Sequence, residues 1–198
     1  MFHPWVQENA DDLPGNGPAE RLARLKAHLD VEASLILVGE AAGYQGCRVT
    51  GLAFTSERLV LEGAIPRVAT GAPRLSTRKL PWSEPSATIV WSTLHSLGLA
   101  ETTICWNAFP LHPYKSGDPL SNRTPSREEL ACGIASLQRL LAAQPTAQVV
   151  AVGKMAQSSL AWLGIQAPSV RHPAMGGATR FRTGLHAIAA GRAVKKKR

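Results

Sequence analysis

Short unbroken apolar runs alternate along this chain with longer stretches in which apolar residues recur every three or four positions. Ser34-Leu35-Ile36-Leu37-Val38 is a run of strand length, and Thr102 to Trp106, Ala147 to Val152 and the shorter Ala167 to Val170 follow the same pattern. Runs of this kind, without polar alternation, read as strands buried on both faces. Between them the period becomes helical. Pro18 to His28 sets Leu22, Leu25 and Leu29 on one face, with Pro18 suited to a first turn. Ser86 to Leu97, Lys154 to Leu163 (ended by Gly164) and Thr179 to Ala189 read as further helices. Ser126 to Leu141 carries a stripe of Leu130, Ile134, Leu137 and Leu141, and its Ser126 and Glu129 form a capping box. Strands separated by helices predict an α/β single domain with a central, mostly parallel four-stranded sheet flanked by helices. That domain is expected over 18–190, with an N-terminal extension at 1–17, a basic tail at 191–198 and no internal repeat.

Three of the strands end on residues with chemistry. Gly39-Glu40-Ala41-Ala42-Gly43-Tyr44 follows the first, Trp106-Asn107-Ala108-Phe109-Pro110 closes the second, and Arg171-His172-Pro173-Ala174-Met175-Gly176-Gly177 follows the last. In an open α/β sheet the carboxyl ends of the strands form one edge, and that edge is where ligands bind. Glu, Asn and His are therefore expected to converge. The Gly-x-Gly-x-x-Gly and Gly-Lys-Ser/Thr patterns are absent, which weighs against a doubly wound enzyme using Gly39 to Gly43 as a phosphate loop.

Composition narrows the class. In a chain of 198 residues, 44% hydrophobic and 18% charged content suits a packed globular domain. No apolar run reaches membrane-spanning length, and Met1-Phe2-His3-Pro4-Trp5 lacks the basic start and apolar core of a signal peptide, so a cytoplasmic monomer is expected. Cys47, Cys105 and Cys132 are too far apart for a paired metal motif or a disulfide framework, and are expected to be free, mostly buried thiols. The net charge of +8 makes a polyanion such as DNA the expected partner. Arg67, Arg74, Arg78 and Lys79 sit in a stretch from Gly63 to Trp82 that has no acidic residue, and a solvated loop is the competing reading. The terminal Lys195-Lys196-Lys197-Arg198 offers only nonspecific contact.

The ordered set of motifs resembles the uracil-DNA glycosylase superfamily, and most closely the branch whose first motif reads Gly-Glu-Ala-Pro-Gly, followed by Thr-Gly-x-Pro-Phe. Gly39 to Gly43, Thr50 to Phe54, Asn107, Asn122-Arg123-Thr124-Pro125 and His172-Pro173 carry the resemblance over roughly residues 34 to 190. Ala42 and Ala53 stand where that branch has proline, and Ala174 where it usually has serine. The branch commonly holds an iron-sulfur cluster on four cysteines. This chain has three, so no cluster, metal or other cofactor is expected.

The resemblance implies an enzyme that flips a nucleotide of duplex or single-stranded DNA into a pocket and hydrolyses the N-glycosidic bond there. In the best-known branch the carboxylate that activates water stands at the position of Ala41, whereas this branch has alanine there and Glu one position earlier, so the resemblance gives the task to Glu40. His172 stabilises the departing base, and Phe54 stacks on it. Asn107 reads a pyrimidine edge, uracil or, with the amide flipped, cytosine. Gly39, Ala41, Gly43 and Tyr44 complete the expected base pocket. Arg67, Arg74, Arg78, Lys79, Arg123 and Arg171 are the expected DNA contacts, and Met175 is the side chain expected to wedge into the gap. The structural alternatives are core packing for Phe54, an Asx turn for Asn107 and loop hydrogen bonding for Glu40. In the uracil-strict branch a tyrosine at the position of Gly43 blocks C5 of the base. Gly43 lacks that wall, so both uracil repair and removal of a C5-modified pyrimidine, including the glucosylated hydroxymethylcytosine of some phage genomes, are open. A binder of the same fold that does not turn over, or that traps the sugar covalently, is the alternative.

Overall fold

The computed structural model describes residues 1–69 and 74–196, with side chains through residue 191. Four parallel strands pair in the order β2-β1-β3-β4: β1 (Leu35–Ala41), β2 (Thr103–Phe109), β3 (Gln148–Val152) and β4 (Ser169–Val170). β1 is central, and its Leu35, Ile36, Leu37 and Val38 expose no surface at all. That is why the run has no polar position. Burying each such side chain contributes roughly 1.5–3 kcal/mol.

The described helices are α1 (Pro18–Leu29), α2 (Cys47–Thr50), α3 (Glu57–Leu61), α4 (Pro85–Ser96), α5 (Arg127–Ala143), α6 (Lys154–Trp162) and α7 (Ala178–Lys196). The α5 capping box is present in full, with the Ser126 hydroxyl accepting from Glu129 N–H and the Glu129 carboxylate accepting from Ser126 N–H. α5 lies so close to β2 that a Cβ at Gly133 would come within 2.1 Å of the Ala108 carbonyl oxygen. Only glycine lets the helix settle there. The α5 stripe is accordingly Leu130, Gly133, Leu137 and Leu140, with Ile134 and Leu141 at its margin.

Two expectations are corrected here. The buried face of α1 is not Leu22, Leu25 and Leu29 but Arg21, Arg24, Leu25 and His28, while Leu22 is 37% exposed. The arginines are buried because carbonyl and side-chain oxygens from the first seventeen residues, together with the Thr50 carbonyl, satisfy them. Arg21 donates to Asp12 Oδ2 at 2.6 Å and to the carbonyls of Pro4, Gln7 and Asn16, and Arg24 donates to Asn16 Oδ1 and to the Thr50 carbonyl. Trp5 stacks on Trp106 of β2 at 6.2 Å, so residues 1–17 pack into the domain itself. The second correction concerns the segment between β1 and α4, where α2 and α3 lie within a stretch that the apolar pattern left without elements. At the other terminus, α7 continues through position 196 into the expected tail, and positions 197–198 lie outside the described residues.

Arg67 is placed at the amino-terminal edge of the sheet, away from the strand ends that carry Glu40 and Asn107. Its guanidinium donates to the carbonyls of Glu101, His28 and Thr103. This geometry runs against the expected DNA contact and makes Arg67 a clamp between α1 and the start of β2. Beside it, His28 accepts the Cys105 amide at 3.0 Å through Nε2. Burial, and secondarily the charge of Arg67, pushes the His28 pKa down from 6.5 to about 4. A histidine depressed in the folded state binds more protons when unfolded, so it destabilises the fold as pH falls from 6.5 toward 4. The urea midpoint is therefore expected to drop across that window. His28→Gln, whose side-chain oxygen can take over the Cys105 amide, should flatten this part of the profile.

Candidate functional site

The carboxyl ends of β1 and β2 open into a cavity of about 850 Å³. Both strands run further than the apolar pattern predicts, so Gly39, Glu40, Ala41 and Asn107 are strand residues rather than loop residues. Gly39 pairs with Asn107 across the two strands. A Cβ at Gly39 would lie 2.6 Å from the Phe54 ring and 2.8 Å from Asn107 Oδ1. The missing side chain thus brings the aromatic ring and the carboxamide together. Glu40, Ala41, Gly43, Phe54, Asn107 and His172 all line the cavity.

Phe54 belongs to the hydrophobic core as well as to the cavity wall, being 6% exposed. It holds a left-handed backbone conformation at φ 49°, a strain of roughly 1–3 kcal/mol for a residue with a Cβ. Its carbonyl accepts the Trp91 indole N–H at 2.9 Å, which anchors that turn. The Phe54 and His172 rings stand 5.9 Å apart and tilted by 36°.

His172 follows β4, and its Nδ1 accepts the Ala174 backbone N–H at 3.2 Å. Burial, with Arg171 adding to it, holds the ring below the ordinary histidine pKa. The ring is neutral at neutral pH, and with Nδ1 engaged as an acceptor its single proton resides on Nε2. That makes it a donor without a net charge. Glu40 is shifted the other way, because burial raises its pKa while a hydrogen bond from Thr124 partly offsets the rise. Both shifts have burial as their main cause and both favour the neutral form, so the two groups are moved toward each other from their ordinary values.

The structure also gives places to residues that the sequence left without a role, Asn122 among the motif residues and Glu84, Gln45 and Ser86 outside any motif. Asn122 Oδ1 accepts the Tyr44 N–H at 3.1 Å, tying the loop after β1 to the loop before α5. Tyr44 itself packs edge-on against Trp82 at 5.6 Å and is not among the residues lining the cavity. The expected contact between Tyr44 and a base is therefore not present in this geometry. Glu84, at the N-terminus of α4, does line the cavity, as do Gln45 and Ser86. Nothing in the local sequence singled Glu84 out, since a lone Glu before a proline looks like an ordinary helix start.

The expected DNA-contacting cations divide by what already holds them. Arg74 pairs with buried Glu57 at 3.1 Å, and Glu57 also accepts from Leu75 N–H, Ser76 N–H and hydroxyl, and Trp82 N–H. Burial alone would raise the Glu57 pKa, yet these donors together hold it below the usual carboxylate range. Residues 74–76 and Trp82 of the basic stretch are thereby anchored, while residues 77–80 remain exposed to solvent. Arg78 lies over the Trp82 ring at 3.8 Å, and Arg123 forms a two-pronged pair with Glu129 at 2.6 and 2.7 Å. Lys79 and Arg171 are exposed. Met175 is 92% exposed at the cavity rim, with φ 53°. Among the described residues, no cluster of His, Cys, Asp and Glu suits a metal ion, and no helix is long and apolar enough to cross a membrane. Cys47 and Cys105 are buried free thiols, and Cys132 is a free thiol on the surface.

This fold is shared with a solved structure, wild-type SMUG2 of Pedobacter heparinus, which is 16% identical with a TM-score of 0.61 over 98% of this chain and 95% of that one. No curated protein matches the chain. The model of the uracil DNA glycosylase superfamily matches residues 27–186, and the chain belongs to that superfamily.

The contact of Phe54 with Gly39 can be tested by stability alone. Gly39→Ala should cost about 1–3 kcal/mol in urea unfolding, the usual range for overpacking. Because Phe54→Ala removes the atoms that the new methyl would strike, the double variant should be less destabilised than the sum of the single changes by at least about 0.5 kcal/mol. Strict additivity would place the ring elsewhere.

Proposed function

We propose that the protein is a monofunctional DNA glycosylase that hydrolyses the N-glycosidic bond of a flipped-out uracil or C5-modified pyrimidine. The observation that carries this reading is the hydrogen bond from the Ala174 N–H to His172 Nδ1 at the cavity, which leaves Nε2 to carry the ring proton. A neutral ring with its proton on Nε2 can donate to O2 of the base, and that bond strengthens as the breaking glycosidic bond delivers its electron pair to the base. Phe54 offers a stacking face, and Asn107 offers a donor and an acceptor to the pyrimidine edge. Ionised Glu40 opposes the oxocarbenium charge on the sugar and orients the water that adds to C1′. Among the described residues lining the cavity there is no lysine to form a Schiff base. The Cys47 thiol is held far above its usual pKa by burial and by Glu84, which supports turnover over covalent trapping. The product is an intact abasic site.

Exposed Met175 suits insertion into the gap left by the base, and exposed Lys79 and Arg171 suit contacts with phosphates. The cavity must take the sugar of the flipped nucleotide and the attacking water as well as the base, and at this size it also admits a substituent on the base, whether in repair or in defence against phage DNA with modified cytosine.

The decisive assay incubates the protein with single-stranded and duplex oligonucleotides bearing uracil, hypoxanthine or C5-modified cytosines. Strand breaks are expected only after alkali, and borohydride trapping of a protein-DNA adduct would overturn the hydrolytic reading. Glu40→Gln should lower the single-turnover rate by about 10²–10⁴-fold while sparing DNA affinity. Its pH profile should change as well. Wild-type activity falls on acidification through a Glu40 pKa raised above 4.5 and a His172 pKa lowered below 6.5, because Glu40 must be ionised and His172 neutral. Removing the carboxylate should reduce that two-proton acid limb to one.

Gly43→Tyr tests the C5 wall. A Cβ at Gly43 meets nothing closer than Asn122 at 3.9 Å, so the backbone tolerates the change. The variant should suppress excision of every C5-substituted base relative to uracil. Unchanged excision of a C5-modified pyrimidine would show that position 43 does not face C5.

A further inference from the structure

Glu84 has no task in the mechanism, yet it sits in the same cavity as the groups that do. It occupies the N-cap position of α4 without its side chain capping that helix. Its Oε2 is fully enclosed and has no hydrogen-bond partner. Burial alone pushes its pKa up to about 7, with no neighbouring cation to lower it. Oε1 makes no hydrogen bond to the described residues either, yet it is not enclosed, so it is the oxygen this carboxyl presents to the cavity.

The chain opposite is shaped around this carboxyl. A Cβ at Gly46 would stand 1.9 Å from Glu84 Oε2 and 3.2 Å from the Thr55 carbonyl oxygen. Glycine at 46 thus lets the acid occupy its place. Gln45 and Ser86 line the same cavity. The pocket therefore has polar groups and volume beyond those that Phe54, Asn107 and His172 need to hold a pyrimidine ring.

We infer that Glu84 is a specificity residue of this cavity, accepting a hydrogen bond from a hydroxyl or amino group carried by a substituent on the bound pyrimidine. The inference rests on the proposed base-binding reading and adds to it the chemistry of the substituent. Oε2 stays enclosed against Gly46, so the carboxyl's other oxygen, Oε1, is the one that meets a hydroxyl or amine in the cavity. A methyl group of similar size leaves the carboxyl unsatisfied, and sites built around a polar contact reject the analogue that lacks it.

The test uses the full-length protein and single-stranded oligonucleotides carrying 5-methylcytosine, 5-hydroxymethylcytosine, glucosylated 5-hydroxymethylcytosine or 5-aminomethyluracil, with thymine as the partner of the last. Fluorescence anisotropy gives the ratio of affinities for the donor-bearing base over its methyl counterpart. Phosphate contacts cancel in that ratio. Wild type should prefer a donor-bearing base, and Glu84→Ala should reduce the preference about tenfold or more. Glu84→Gln, which keeps the shape, should give an intermediate value, and Gly46→Ala should erode the preference by displacing the acid. Separate sugar and amine arms show which donor is the better fit.

No preference in wild type, or a preference indifferent to all three variants, overturns the inference. Base release measured in parallel separates it from the proposed activity. Excision without any dependence of base preference on Glu84 leaves the glycosylase standing and removes this subsite. A preference that depends on Glu84, with no base released, does the reverse.

Discussion

The absence of a side chain at Gly39 is the constraint on which the site depends. Position 39 pairs with Asn107 of β2 just beyond the end of the β1–β3 pairing, where any Cβ would enter the volume shared by the Phe54 ring and the Asn107 carboxamide. An aromatic face and an amide edge can therefore meet at one strand end without shifting either strand. The strained turn at Phe54 has the same origin. Its left-handed backbone delivers the ring over Gly39, and the Trp91 indole holds the turn by its carbonyl. Strain of this sort persists only where the surrounding packing determines it, and here buried β1 and α4 supply that packing.

Three glutamates show how little the residue type decides by itself. Glu57, buried, is met by backbone and side-chain donors and by Arg74, so it remains a carboxylate and fixes the basic loop. Glu40 has a single partner, Thr124, and its pKa rises. Glu84 has none, and its pKa rises further, to about 7. The order follows how deeply each group is removed from water and how many donors compensate it for the loss. It also separates a carboxylate used as an anchor from two whose solvation is left incomplete at a cavity.

Much of the architecture was legible because it rests on local rules. Four parallel strands, their order with the main helices, and the Ser126 capping box all follow from apolar period and cap chemistry. What the chain concealed depends on partners distant in sequence. The α1 face was misread because Arg21 and Arg24 are polar by residue type yet are made compatible with burial by oxygens from residues 4 to 16 and by the Thr50 carbonyl. Arg67 and Arg74 looked like free cations because the carbonyls and the Glu57 carboxylate that engage them come from other elements. At the candidate site, Glu40, Asn107 and His172 do share one cavity, as their positions at strand ends suggested. Tyr44 does not, since Trp82 offers its ring an apolar partner on the other side of the loop. Glu84 carries no motif, and only its enclosure distinguishes it.

These placements also sort the positive charge. A cation already engaged with a carboxylate or a carbonyl has given up the interaction that would make a phosphate attractive, and desolvating it again for DNA gains little. Arg67, Arg74 and Arg123 are engaged in this way. They shape the loops around the cavity, Arg74 by fixing the basic loop to Glu57 and Arg123 by fixing the Asn122 loop to the start of α5. Arg171 and Lys79 remain exposed, and Arg171 immediately precedes the loop that carries His172 and the apolar tip of Met175. A phosphate held at Arg171 would also lessen the positive potential that helps depress the His172 pKa. Binding of such a phosphate would therefore be coupled to the protonation state of His172 through one adjacent charge, with burial of the ring as the larger influence on its pKa.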